Sequence, residues 1–365
     1  MINSSLPGVE LNNTQVRYAR GSGKPGRFLA WVSWGYPALV AAVWIFTVQG
    51  GDRWWPATVA LYAPRWPVLI PLLALIPAAL LSNRLLLIPL LAGGLMAAGP
   101  FMGLHLPHYR TAASGDSVVR ILTCNINAGG FNRKHFADLL HNSNADIVAL
   151  QECPRDPGVS LPPGWHSVRE GELIIWSRYP LERGTMMQAL HPPHAWPRTC
   201  LLTCTVQTPE GALTFCTVHL PSPRYGLTEA LDRKTILNPS RSGVLEQETL
   251  HRQLTAREAA RQIASLPGPV VIAGDFNMPA DSPLYREAWG GYQNAFSQEG
   301  FGYGWTQRTV LRGIPIGLRI DHTLIGAGLG IVLSRVGPDI GSDHLPLITD
   351  IKRPSAGKAM SWWSW

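Results

Sequence analysis

Val270-Val-Ile-Ala-Gly274-Asp275-Phe-Asn277-Met-Pro279 decides how this chain is read. Four apolar residues run extended into a glycine, an acid closes the run, and an amide follows two positions on. Side chains alternate along a strand, so residues i and i+2 project the same way. Asp275 and Asn277 therefore face one cavity at the end of a buried strand. A carboxylate and an amide so placed hold a water and a phosphoryl oxygen together.

Outward from that run, four more polar clusters sit at the ends of apolar stretches. They are Ile121-Leu-Thr-Cys-Asn125-Ile-Asn127, Ala145-Asp-Ile-Val-Ala-Leu-Gln-Glu152 and Phe215-Cys-Thr-Val-His219, then Arg319-Ile-Asp321-His322 paired with Gly341-Ser-Asp343-His344. Strands are expected over 118–125, 146–151, 172–176, 201–207, 213–220, 270–274, 319–325 and 345–351. Thr208-Pro-Glu-Gly211 turns the fourth into the fifth. Ala256, Ala260 and Ile263, at i, i+4 and i+7, predict a helix over 246–265. Apolar strands with intervening helices indicate sheets covered by helices.

The first 109 residues read differently. Phe28–Val48 and Leu85–Leu104 carry no charge, nor does Trp66–Leu81. About 20 apolar residues cross a bilayer as a helix, so residues 28–104 read as three transmembrane helices. The alternative is a buried helical domain. Arg17, Arg20, Lys24 and Arg27 precede the first span, which places residues 1–27 in the cytoplasm. Three crossings then put the rest outside, tethered by a linker at 105–117; Arg53 and Arg65 on the outer loop oppose that orientation. The protein is thus expected in the cytoplasmic (inner) membrane, with its 118–352 domain extracytoplasmic and a tail at 353–365 whose tryptophans could touch the interface.

The formal charge of +7 hints at nucleic acid, but its distribution does not. Of 31 Lys/Arg and 24 Asp/Glu, residues 1–109 hold seven and two, which leaves 24 and 22 for the polar part, about +2. The five cysteines, Cys124, Cys153, Cys200, Cys204 and Cys216, lack zinc-site spacing; a Cys204–Cys216 bridge is the one pairing considered.

Taken together, the five clusters resemble the endonuclease/exonuclease/phosphatase (deoxyribonuclease I-like) superfamily over residues 118–352, in a membrane-anchored bacterial form. The resemblance implies an α/β four-layer sandwich, two packed mixed β-sheets flanked by helices, and cleavage of phosphate esters with Mg2+, or Mn2+ in its place. Position by position, it implies Glu152 as the principal metal ligand, with Asn125 orienting it and Asp343 near the metal. Asp275 and Asn277 match the pair that positions water and phosphoryl oxygen. His344 matches the base or phosphate ligand, Asp321 the acid that orients it, and His219 a histidine that contacts phosphate or aids the leaving group. The base is left open between Asp275 and the His344–Asp321 pair. Asn127, where an aspartate is common in apurinic-site enzymes, argues mildly against that branch.

Each residue has a plainer reading. Glu152 alone would be a solvated strand end, Asp275 and Asn277 a turn, and His219 a satisfied core histidine. His322 reads as structural, His191 and His194 as solvent-facing, and Arg252, Arg257 and Arg261 as a solvated helix face. Three functions compete. The first is a membrane-anchored phosphoesterase acting on a lipid-linked, head-group or small-molecule phosphate, with the bilayer as partner. The second is a membrane-tethered nuclease, which calls for a basic groove. The third is a non-catalytic envelope module, which an intact ligand set opposes.

Overall fold

A computed structural model describes residues 24–107, 118–154, 157–190, 198–232, 239–311 and 314–353. In chain order its strands are β1 (Val118–Asn125), β2 (Ile147–Gln151), β3 (His166–Glu170), β4 (Leu173–Ser177), β5 (Leu181–Gln188), β6 (Thr199–Thr208) and β7 (Gly211–His219). They continue as β8 (Val270–Asp275), β9 (Gln293–Asn294), β10 (Gln307–Leu311), β11 (Ile314–Leu318), β12 (Asp321–Ile325), β13 (Gly330–Val336) and β14 (Leu347–Lys352). One six-stranded sheet runs β13-β14-β1-β2-β4-β3, a second runs β5-β6-β7-β8-β12-β9, and β10-β11 form a separate hairpin. Both six-stranded sheets are mixed: β1 is parallel to β2 and β7 to β8, whereas β14 and β12 run antiparallel to their neighbours.

The two sheets pack face to face. Ile121, Ile147, Ala149 and Ile175 from one meet Leu202, Phe215, Val271 and Ala273 from the other. Phe136 and Leu139 of helix Arg133–Ser143 cover the first sheet's outer face. Ala256, Ala259 and Ile263 of helix Pro239–Ala264 cover the second. The result is the expected four-layer sandwich. β2 and β8 are buried along their whole length, because sheets covered on both sides select continuous apolar runs over alternation. Gly274 is obligatory where β8 leaves this layer: a Cβ there would lie 2.1 Å from the Val218 carbonyl oxygen.

Ahead of the sandwich lies a helical module: Lys24–Gly50, Trp55–Tyr62, Leu72–Ser82 and Leu87–Met96. Tyr36, Val40, Ala79, Leu90 and Ala97 form its small core, while Trp31, Leu73, Leu81 and Leu95 point outward and are largely exposed. Among the described residues, Lys24–Gly50 and Arg84–Phe101 are long and apolar enough to cross a membrane. A third span exists only if Trp55–Tyr62 and Trp66–Ser82, bent by 80°, count as one.

The module is bolted to the sandwich. Arg65 forms a two-pronged ion pair with Asp281 at 2.6 and 3.0 Å. Arg286 donates to the Val48 carbonyl, and His105, the first residue of the expected linker, exchanges backbone hydrogen bonds with Gly302. Residues 108–117 of that linker, the N-terminal segment before Lys24, the tail from 354 and His191 and His194 lie outside the described residues. One expectation is corrected, and the one disulfide pairing considered does not form. All five cysteines are free and buried, with Cys204 set opposite Phe215 and Cys216 opposite Thr203 in the β6–β7 ladder. Arg252 is not on a solvated face: its side chain is 1% exposed.

Candidate active site

The site forms where the central strands of both sheets end together. β1 delivers Asn125, the residue after β2 is Glu152, β7 ends at His219, β8 ends at Asp275, and β12 begins at Asp321. Register fixes the meeting: Asp275 pairs with His219 on one side and with Asp321 on the other. The backbone turns sharply at these ends. Asn127, Glu152 and Asn277 have φ of 49°, 50° and 51°. Asparagine tolerates the left-handed region through its short polar side chain; glutamate does so at a cost of order 1–3 kcal/mol, and such strain gathers at functional sites.

Asp275 is the hub. Its Oδ1 accepts the Asn277 backbone N–H at 2.8 Å. Its Oδ2 accepts from the carboxamide of Asn125 at 3.1 Å and of Asn277 at 3.3 Å. Two histidine Nε2 atoms, of His219 and His344, each lie 3.8 Å from that same Oδ2. Each histidine is backed by a carboxylate at Nδ1: Glu172 at 2.8 Å for His219, Asp321 at 2.8 Å for His344. Asn125 also donates to Glu152 Oε1 at 3.0 Å, and that oxygen is 3.6 Å from His219 Nε2. Asn277 completes the loop by donating to the Leu220 carbonyl. Ser342 ties the last loop in, donating to the Asn125 carbonyl and accepting from the His344 N–H.

Asn125, Glu152, His219, Asp275, Asn277, Asp321 and His344 therefore form one connected cluster. Asp343 flanks it: its backbone carbonyl accepts from Arg308, and its charge helps hold the proton on His344. His322 is buried and bonded to Asn294 and the Met278 carbonyl, a core role. The sequence reading missed Glu172, which holds His219 and is itself held by Arg198 at 2.9 Å. It also missed Thr306, whose hydroxyl accepts the Asp321 N–H. Neither carries a sequence signal, because a single Glu at a strand start or Thr in a loop is commonplace.

Burial, aided by the like charge of Asp321, lifts the Asp275 carboxyl to about 6. Burial opposes a charge on His344, but the Asp321 and Asp275 carboxylates outweigh it and hold the imidazolium up to about 10. His219 is raised in the same way against its own burial, first by Glu172. Burial would raise Glu172, yet the hydrogen bonds from His219 and Arg198 bring it down to about 2.

The donors suit a hard divalent cation. Ligand atoms of Asp275, Asp321 and His344 lie within 4.8 Å of one another, and of these the two carboxylates can ligate while His344 keeps its proton. Two carboxylates facing each other across a strand pair repel, and Asp321 Oδ1 is buried with no hydrogen-bond donor among the described residues. Glu152 and Asn125 add further oxygens at the rim, the ligand type such ions prefer.

Several solved structures resemble the chain. An endonuclease/exonuclease/phosphatase from Beutenbergia cavernae is 16% identical, with a TM-score of 0.45, over 65% of this chain and 72% of its own. The 3'-5' exonuclease NExo from Neisseria meningitidis is 22% identical, TM-score 0.44, over 63% and 98%. D. rerio TDP2, solved with a single-strand DNA product, is 15% identical, TM-score 0.45, over 65% and 100%. No curated protein matches the sequence. The family model for the endonuclease/exonuclease/phosphatase family matches residues 122–344, more than half of the chain and all of the sandwich but the start of β1 and the last strand, β14. Its limits enclose every residue of the cluster around Asp275, and the chain belongs to that family.

Proposed function

We propose that the protein is a membrane-anchored, divalent-metal-dependent hydrolase of phosphate esters, working on a lipid-linked or head-group phosphate. The observation that carries the chemistry is the single oxygen of Asp275 faced by two carboxylate-backed histidines. Near neutral pH a carboxyl at about 6 is largely ionised and a histidine at about 10 is protonated. Asp275 then accepts the proton of the attacking water, and Asn277 orients that water. His344, charged and steadied by Asp321, meets the phosphoryl oxygens. His219, held by Glu172, stands beside the same centre and donates to the leaving oxygen. Positioned acid–base help of this kind is typically worth ~10²–10⁴ in rate. Glu152 and Asn125, with Asp275, Asp321 and Asp343 near them, would hold Mg2+ or Mn2+, which when bound withdraws charge from the phosphoryl group.

The anchoring half of the proposal rests on the apolar outer face of the helical module. Large side chains left in water on every side of a bundle mark a lipid or protein contact. Packing adds support: Val48, Asp52, Tyr62 and Arg65, at and beyond the end of the first helix remote from Lys24, bond to the sandwich, and so does His105 just past the last helix. That arrangement favours three crossings and a catalytic domain opposite the N-terminus. The near-neutral charge of the domain gives a nucleic-acid strand little to hold. The test is hydrolysis by the purified full-length chain with Mg2+, offered a phospholipid, a lipid pyrophosphate, a soluble phosphodiester and plasmid DNA. Turnover of DNA alone would replace this reading with a nuclease, and turnover of none would end it.

A further inference from the structure

A cavity of about 430 Å3 opens where the helical module meets the sandwich. It is not the polar cluster around Asp275 but its neighbour. Three of its walls continue catalytic segments: Pro279 lies two residues past Asn277, Arg319 two before Asp321, and Trp305 two before Gln307, which bridges His344. The other wall is the module, at Ala63–Trp66 and around Met102 and Leu104. The lining is mainly apolar, led by Trp66, Met102 and Leu104 from the module and Trp305, Ile316 and Leu318 from the sandwich.

The cations there are occupied. Arg65 is paired to Asp281 and also donates to the Phe101 carbonyl. Arg319 is half-buried and donates to Asn294 and Ser297, and its guanidinium meets His105 Nε2. A second phosphate would meet an Arg65 already neutralised by Asp281 and an Arg319 whose N–H groups are already donated, whereas hydrocarbon would find tryptophan and aliphatic walls. Size and lining match ligand pockets in general, concave, mostly apolar and a few hundred Å3.

We infer that this cavity binds the proximal hydrocarbon of an amphiphilic phosphate ester whose phosphoryl group is cut at Asp275. The inference rests on the proposed hydrolytic function and adds the substrate class: one phosphate joined to a chain or ring system of apolar carbon. The polar head lies over the strand ends, and the apolar part turns into the cavity between Trp305 and Trp66. Hydrolysis breaks one P–O bond, with water supplying the hydroxyl to phosphorus and a proton to the leaving oxygen. The module thus lines the substrate site as well as anchoring the protein.

The experiment uses the full chain in nanodiscs with Mg2+ and a series of fluorogenic alkyl phosphodiesters from methyl to decyl, kept monomeric. Burial of a methylene gives ~0.8 kcal/mol, about fourfold in kcat/KM. The expected result is a rise of roughly that size per methylene, ending in a plateau when the cavity is full. Ala63→Trp should bring the plateau to shorter chains, and Trp305→Ala should flatten the slope. Independently of turnover, an alkyl phosphate with a terminal diazirine should label peptides containing Trp66, Met102 or Trp305. Hydrolysis that ignores chain length, or label found only elsewhere, overturns the inference and leaves the hydrolase standing. Label in the cavity without hydrolysis of any ester upholds the site and overturns the proposed reaction.

Discussion

Asp52 belongs to the helical module, yet its removal should damage the chemistry. Its carboxylate is 1% exposed and accepts from the equally buried Arg252 at 2.9 Å. That guanidinium also donates to the carbonyls of Asn277 at 3.0 Å and Pro221 at 3.1 Å. These carbonyls sit two residues beyond Asp275 and His219. Tyr62 of the module donates to the same Asn277 carbonyl at 3.0 Å and accepts from Arg252. Asn277 is held at a positive φ, so its loop depends on such anchors. Asp52→Leu leaves a buried cation alone, which costs about 3–5 kcal/mol. The double variant Asp52→Leu/Arg252→Met replaces the pair with apolar groups, a change that is often neutral or stabilising. Thermal unfolding and kcat, measured on both, separate two roles. If Arg252 positions the catalytic loops, the single variant loses both stability and rate. The double variant regains stability while kcat stays roughly 10–100-fold down, because small misplacements of reacting groups carry that cost. Restored kcat in the double variant, or a single variant as stable as the parent, would refute the reasoning.

Asp275→Ala and His344→Ala should each lower kcat by at least ~10² with the circular dichroism spectrum unchanged; near-parental turnover by either removes it from the mechanism. Asp321→Asn takes a like charge from Asp275 and a counter-charge from His344, so both pKa values fall, and both limbs of the kcat/KM–pH profile should move to lower pH; limbs that stay put contradict the pairing. Chelation should abolish activity, Mg2+ should restore it, and Glu152→Gln should raise the Mg2+ needed for half-activation about tenfold or more; an unchanged requirement excludes Glu152 as a ligand. Glu172 falls to about 2 from 4.5, so its stabilisation is present above pH 4.5 and is lost as pH drops through 2. Solvent screening of this partly exposed carboxylate and of Arg198 leaves about 1–2 kcal/mol of that, and Glu172→Gln should move acid unfolding to higher pH, which tryptophan fluorescence would follow.

The strands that were legible were those buried on both faces. The runs ending at Asn125, Gln151, His219 and Asp275 had to be continuous and apolar, since each lies between a sheet and a helix layer. Edge strands such as β3 and β5 are largely exposed on one or both sides and left no such trace. β10 and β11 are a small hairpin outside both sheets and were equally silent. The helix over 239–264 was found seven residues short at its start, because its opening Pro239-Ser-Arg-Ser-Gly243 carries no apolar residue to mark a helical period.

The sequence alone determined the strand-end polar residues and the apolar helices, because covalent order sets which side chain follows which strand and how long an uncharged run is. Only tertiary structure decided that Glu172 backs His219, that Arg252 leaves a supposed solvent face to grip Asp52 and the Asn277 carbonyl, and that module and sandwich enclose a cavity together. Those contacts join residues as many as 238 positions apart. Nothing in local periodicity reports where a buried charge will find its partner; the closing of two sheets and a helical module around one strand end does.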